Sequence, residues 1–237
     1  AIAFDKSNRA PLFYEEYPGS ITDVSQFVHM VDKVTEYGYK KVGFILDRGY
    51  FSKDNIRYME EGGYAFVIMV KGRKALVSSL VLENRGTFET DRDHSIRSCH
   101  VYGKTVKARL YEDDTKDRYF HIYFNPSKHA AEREHFEQTL DRIKIYLEKH
   151  IGDVITSSKV CQEYFVLKFD KSGRLASYTE RKDVIRRELD LCGYFCIVTS
   201  EEMTASQALI HYKGRDVSEK LFSADKSFIG SKSMRVQ

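Results

Sequence analysis

The fold is decided by residues 41–70, which read KVGFILDRGYFSKDNIRYMEEGGYAFVIMV. The run Lys41–Asp47 is mostly apolar, as expected of a buried strand, and it ends on a carboxylate. A short helix is predicted over Ser52–Glu61, because two glycines follow and stop it. Tyr64–Val70 is continuously apolar, which is typical of a strand buried on both faces. Strand, helix and strand over about thirty residues predict a parallel βαβ unit.

The residues before this stretch predict a hairpin and one amphipathic helix. Ile2–Phe4 and Leu12–Tyr17 are short strand-like runs, and turn-forming residues separate them. Asp23–Tyr37 carries apolar residues at helical spacing, and Gly38 follows its end. An antiparallel hairpin followed by a parallel crossover predicts a mixed sheet.

Residues 71–200 differ in character and are interpreted as an inserted α+β subdomain. The apolar run Ala75–Leu82 opens it after a basic stretch. The predicted strands are His100–Leu110, Tyr119–Phe124, Tyr164–Phe169, Leu175–Thr179 and Tyr194–Thr199, and the predicted helices are Ala130–His150 and Arg181–Leu191. The chain is therefore expected to consist of a core in two parts, 1–70 and 201–237, around this insertion.

Composition excludes several classes of protein. The chain has 237 residues, of which 42% are hydrophobic and 31% charged, and this argues against disorder. No apolar run approaches the ~20 residues of a membrane span, so no membrane partner is expected. Four cysteines are few enough to favour a reducing cytoplasm, and Cys192 and Cys196 are predicted to be buried free thiols rather than metal ligands. A net charge of +3 neither demands nor excludes nucleic acid.

The last predicted helix starts after Thr204 or Ser206 and runs to about residue 227. On a wheel of 100° per residue, four polar side chains fall within an arc of about 60°. These are Tyr212, Arg215, Glu219 and Lys226. Apolar side chains fall on the roughly opposite arc, namely Ile210, Val217, Leu221, Ala224 and Phe228. The pattern predicts one packing face and one polar face presented to a ligand.

Two carboxylates in this arrangement suit metal-dependent phosphodiester chemistry. Asp47 ends a strand, where open α/β sheets place their ligand sites, and Glu219 lies within the polar stripe. Paired carboxylates can hold two divalent metal ions ~4 Å apart, and Mg²⁺ prefers such oxygen ligands. Arg215 can hold a phosphate by two parallel hydrogen bonds, Lys226 can neutralise another, and Tyr212 can donate to an oxygen or stack on a base.

The spacing Tyr-x2-Arg-x3-Glu-x6-Lys from Tyr212 to Lys226 resembles the signature of DDE-type insertion-sequence transposases. The segment Asp47-Arg48-Gly49-Tyr50-Phe51 is similar to that family's second motif, an Asp followed by a small residue and an aromatic one. The family's third catalytic carboxylate corresponds to Glu219. The resemblance implies an α/β, ribonuclease-H-like mixed sheet with flanking helices, interrupted by an insertion.

The resemblance also implies a function and its partners. We expect a DNA transposase catalytic core that cuts and joins double-stranded DNA at transposon ends and at a target. Asp47 and Glu219 would bind Mg²⁺ or Mn²⁺ in a two-metal site, and Tyr212, Arg215 and Lys226 would bind DNA. A cytoplasmic, DNA-associated protein that forms a homodimer in a synaptic complex is expected. The family's first Asp precedes the hairpin, so we expect a fragment that lacks it, with Asp5 as a turn residue.

Other interpretations of the same residues stay open at this point. Asp47 is equally typical of a helix cap, and Glu219 with its basic neighbours is typical of a solvated helix face. An inactive transposase remnant would bind DNA without cutting it. A ribonuclease-H-like nuclease would cut DNA without joining it. A plain α/β interaction module would do neither.

Overall fold

The structure, a computed structural model, describes residues 2–5, 10–14, 23–38, 43–70 and 75–214. Within these ranges the strands are β1 (Ile2–Asp5), β2 (Ala10–Tyr14), β3 (Gly43–Leu46), β4 (Ala65–Met69), β5 (Ser95–Ile96), β6 (Val101–Ala108), β7 (Arg118–Phe124), β8 (Phe165–Phe169), β9 (Leu175–Glu180) and β10 (Tyr194–Thr199). The α-helices are α1 (Asp23–Glu36), α2 (Lys53–Glu61), α3 (Ala75–Asn84), α4 (Pro126–Lys149), α5 (Lys159–Tyr164), α6 (Lys182–Asp190) and α7 (Ala205–Lys213). None of these helices is long and apolar enough to cross a lipid bilayer.

The predicted parallel βαβ unit is confirmed. β3 and β4 pair in parallel, with Gly43 opposite Ala65. The helix α2 connects them, and the Ser52 hydroxyl caps it by accepting a hydrogen bond from the Asn55 amide at 3.1 Å. β4 is buried on both faces as predicted, whereas β3 is only half-buried. β3 differs because it lies at the edge of the described sheet, with β4 as its neighbour.

The mixed sheet contains the predicted strands β3 and β4, but its antiparallel strands differ from those that the sequence suggested. Six strands pair in the order β3, β4, β10, β7, β6, β5, and β10 runs antiparallel to β4. The hairpin β1–β2 forms as predicted, but it is a separate two-stranded sheet. The expectation that this hairpin makes the sheet mixed was therefore wrong. β10 takes that place because its apolar residues Cys196, Ile197 and Val198 are buried along the second edge of β4.

The chain divides into two compact units. The first contains the described residues within 1–76, 103–122 and from 196 onward, and the second contains residues 77–102 and 123–195. Residues 103–122 and 196–200 therefore group with the first unit, although the sequence suggested that they belong to the insertion. The division at 70/71 and 200/201 into core and inserted subdomain stays a prediction.

The second unit has its own apolar core, which the sequence predicted well. The long helix α4 contributes the apolar stripe expected of it, with Leu140 and Leu147 buried. β8 and β9 form the predicted antiparallel hairpin, and it buries Phe165 and Leu175 in the same cluster. Cys161 of α5 completes this cluster.

A buried ionic cluster fixes α2 within the first unit. The Arg118 side chain is 4% exposed, and its guanidinium donates to both carboxylate oxygens of Glu60, at 2.7 and 2.8 Å. The guanidinium also donates to the Asp114 carboxylate, which accepts a second hydrogen bond from the Tyr111 amide. Burial alone would raise the pKa of Asp114, but these hydrogen bonds lower it below its usual value. The cluster ties the end of α2 to the loop that precedes β7.

A second buried polar group spans three neighbouring strands of the first unit. His121 on β7 is fully buried, with Nδ1 2.9 Å from the Thr105 hydroxyl and Nε2 3.0 Å from the Thr199 hydroxyl. The Thr199 hydroxyl donates to the Glu201 carbonyl at 2.7 Å, so it accepts from Nε2–H. Nδ1 then accepts from Thr105, and the ring is neutral. Burial lowers the pKa of His121 to about 4.

Candidate active site

Asp47 lies where the sequence placed it, directly after the last residue of β3. Its side chain is exposed, and its Oδ1 accepts a hydrogen bond from the Arg48 amide at 2.6 Å. The carboxylate thereby caps a short 3₁₀ helix at Arg48–Tyr50. The capping role that the sequence left open for Asp47 is therefore present. The end of a strand is also where open α/β sheets place their ligand sites.

The helix α7 begins as predicted. Thr204 is the N-cap, and its hydroxyl accepts a hydrogen bond from the Gln207 amide at 3.2 Å. The Gln207 side chain in turn accepts from the Thr204 amide at 2.9 Å, which completes a capping box. The described helix ends at Lys213. The rest of the predicted helix, with Arg215, Glu219 and Lys226, lies outside the described residues.

The helical wheel assigned the wrong face to the start of this helix. Tyr212 was expected on a presented polar face, yet it is only 5% exposed. Ile210 was expected on the packing face, yet it is 53% exposed. The buried face of α7, called its packing seam below, consists of Ala205, Ala208, Leu209 and Tyr212, which follow helical spacing. The wheel missed it because two of these residues are small and the tyrosine was counted as polar.

The structure brings Asp47 and Tyr212 together. The Tyr212 hydroxyl donates to Oδ1 of Asp47 at 3.3 Å, although the two residues are far apart in the chain. Two predicted site residues are thus neighbours, and one hydrogen bond joins the second motif to the start of the signature helix. The Arg48 amide also donates to this oxygen, and the sequence did not predict this contact. The only signal for it was the position of Asp47 at a turn.

The donor chemistry of this site suits a hard divalent cation. Asp47 offers a carboxylate, which Mg²⁺ and Mn²⁺ both accept as a ligand. Among the described residues no group of three or more His, Cys, Asp or Glu side chains is arranged to hold a metal ion. Cys192 and Cys196 are buried free thiols as predicted, and burial raises the pKa of Cys196.

The second unit contains a cavity of about 430 Å³. Phe124, His129 and Tyr194 line one wall. Its charged groups are engaged with neighbours, since the Tyr194 hydroxyl donates to Glu89 and Arg85 pairs with Asp190 at 2.7 Å. Hydrogen bonding to Glu89 adds to burial in raising the pKa of Tyr194. Neither Asp47 nor Tyr212 lines this cavity, so Asp47 remains the candidate for chemistry.

The mixed sheet with its helices, and an acidic residue directly after a strand, is consistent with a ribonuclease-H-like domain. The whole chain, residues 1–237, matches the family model described as the transposase DDE domain. The chain belongs to this family of transposases, and the predicted family and fold class are confirmed. No curated protein and no solved structure matches it significantly.

Proposed function

We propose that this chain forms part of a DNA transposase catalytic core that cleaves phosphodiesters at transposon ends and transfers the freed strand to target DNA. One observation carries the proposal: the exposed carboxylate of Asp47 ends β3 and accepts a hydrogen bond from Tyr212, the first residue of the family signature. Membership of the transposase DDE family supports the reaction class.

Each remaining site residue has a defined task in this proposal. Asp47 and Glu219 would hold Mg²⁺ or Mn²⁺, which supplies positive charge at the attacking and leaving oxygens. Arg215 would bind a DNA phosphate through two parallel hydrogen bonds, and Lys226 would neutralise the charge of a neighbouring phosphate. The reaction would take place in the cytoplasm on double-stranded DNA, within a homodimeric synaptic complex.

The proposal is tested by the full-length protein acting on DNA that carries the ends of its own element. We expect cleavage that requires Mg²⁺ or Mn²⁺ and strand joining to a target plasmid. Asp47→Asn keeps the shape of the side chain but removes its charge. Loss of a group that only orients a metal ligand already lowers activity by up to about 100-fold. Because Asp47 would be a ligand itself, we expect the rate of cleavage to fall by more than about 100-fold.

The matched control is Asp93→Asn, which removes an exposed carboxylate from the second unit. This variant should cleave and join DNA as the unchanged protein does. Cleavage without joining would indicate a nuclease, and DNA binding without cleavage would indicate an inactive remnant. Equal cleavage by Asp47→Asn and by the unchanged protein would refute the assignment of Asp47.

A further inference from the structure

We infer that Tyr212 is a positioning residue for Asp47 and does not bind DNA. The inference rests on the proposed function and changes one assignment within it. The sequence placed Tyr212 with Arg215 and Lys226 as a contact to the DNA backbone. The structure instead places the phenol against the carboxylate that would hold the metal.

Burial argues against a DNA contact. Tyr212 is 5% exposed and belongs to the packing seam of α7 with Ala208 and Leu209. A phosphate or a base reaches a side chain only through its accessible surface, and this ring has almost none. Its hydroxyl is directed at Oδ1 of Asp47. A contact to DNA would require the ring to leave the seam, which would expose apolar surface to water.

The hydrogen bond from Tyr212 would hold the Asp47 carboxylate in one orientation. An exposed carboxylate on a turn rotates freely unless donors hold it, and rotation weakens any metal site built on it. Two donors converge on Oδ1, the Arg48 amide at 2.6 Å and the Tyr212 hydroxyl at 3.3 Å. Groups that orient metal ligands in this way commonly change metal affinity or activity by 10–100-fold.

The direct test is Tyr212→Phe, which keeps the buried ring and removes only the hydroxyl. Mn²⁺ binding to the full-length protein is measured from the electron paramagnetic resonance signal of the free ion. DNA affinity is measured separately in the absence of divalent metal. We expect the Mn²⁺ dissociation constant to rise about tenfold. The DNA dissociation constant should stay the same, and circular dichroism should confirm an unchanged fold.

Tyr58→Phe is the matched control. The Tyr58 hydroxyl also donates to a carboxylate of the first unit, Asp32, at 2.7 Å. Removing this hydroxyl should leave both Mn²⁺ and DNA affinity unchanged. A double-mutant cycle with Asp47→Asn adds a second check. Once Asp47 is Asn, the further change Tyr212→Phe should no longer alter Mn²⁺ binding.

Two results would overturn the inference alone: Tyr212→Phe binds Mn²⁺ as the unchanged protein does, or it loses DNA affinity without metal. If Asp47→Asn still lowers cleavage by more than about 100-fold in either case, the proposed function survives. If the unchanged protein binds no Mn²⁺ and cleaves no DNA, both the proposed function and the role of Tyr212 fail.

Discussion

Acidification from pH 7 to pH 5 is expected to destabilise the first unit through the buried ring of His121. Burial lowers the pKa of this residue from 6.5 to about 4. Between these two pKa values, His121 is protonated in the unfolded chain and neutral in the folded chain. The stabilising contribution of the neutral ring is therefore complete above pH 6.5 and is lost as the pH falls toward 4.

The size of the loss follows from the two pKa values. Each pH unit between them costs about 1.4 kcal/mol of unfolding free energy, so the whole loss is about 3 kcal/mol. About 2 kcal/mol of it falls between pH 7 and pH 5. The described carboxylates whose pKa is lowered, namely Glu89, Asp113 and Asp114, contribute little in this window. Asp113, for example, has its pKa lowered from 3.8 to about 2 by hydrogen bonds from Lys53 and Arg57, so its contribution is lost only below pH 3.8.

Urea unfolding followed by far-ultraviolet circular dichroism at pH 7, 6 and 5 measures this loss. His121→Gln should flatten the dependence of unfolding free energy on pH over this window. His135→Gln replaces an exposed histidine on α4 and should leave the dependence unchanged. Nuclear magnetic resonance adds a direct reading, because the His121 ring signals should not shift until the pH nears 4.

Two findings would contradict a lowered pKa for His121. One is a pH dependence that is equally steep in the unchanged protein and in His121→Gln. The other is a His121 ring that titrates near its ordinary pKa in the folded protein. The second finding would also mean that the hydrogen bonds to Thr105 and Thr199 do not hold the ring neutral.

Two further predictions concern stability, each with an internal control. Gly193→Ala places a new Cβ 2.5 Å from the His129 side chain. This overpacking should lower the free energy of urea unfolding by about 1–3 kcal/mol more than Gly173→Ala does. Gly173 is the control because its φ is also positive, but its new Cβ would have no neighbouring atom within 4 Å. Equal losses would exclude a clash. Arg118→Met removes the cation that pairs with the buried Asp114 and the half-buried Glu60, and it should cost about 3–5 kcal/mol. Lys53→Ala breaks an exposed pair and should cost under about 1 kcal/mol. Similar losses in thermal unfolding would show that the Arg118 cluster is effectively solvated.

Local sequence patterns predicted the individual elements well. The βαβ unit, the hairpin β8–β9 and the amphipathic helix α4 each follow from apolar spacing and from turn residues close by in the chain. The position of Asp47 at a strand end follows from the same reasoning. All of these features depend on residues within one element or its immediate neighbours.

Pairings between distant segments could not be predicted in this way. The apolar run Tyr194–Thr199 predicts that β10 is a strand, but not that its partner is β4. Tyr212 illustrates the same limit at the site. Its residue type suggests a polar face, and only its distant partner Asp47 shows how a tyrosine can be buried on the packing seam of α7.

The pairing of β10 with β4 has a consequence for folding during synthesis. Ile197 pairs with Met69, so roughly 130 residues must leave the ribosome after β4 before its second edge is covered. Until then, Phe66, Val67 and Ile68 belong to an apolar strand with an unpaired edge, which attracts other chains. The nascent chain is therefore most exposed to aggregation while the second unit is being made, and a chaperone that binds extended apolar segments should act in that interval.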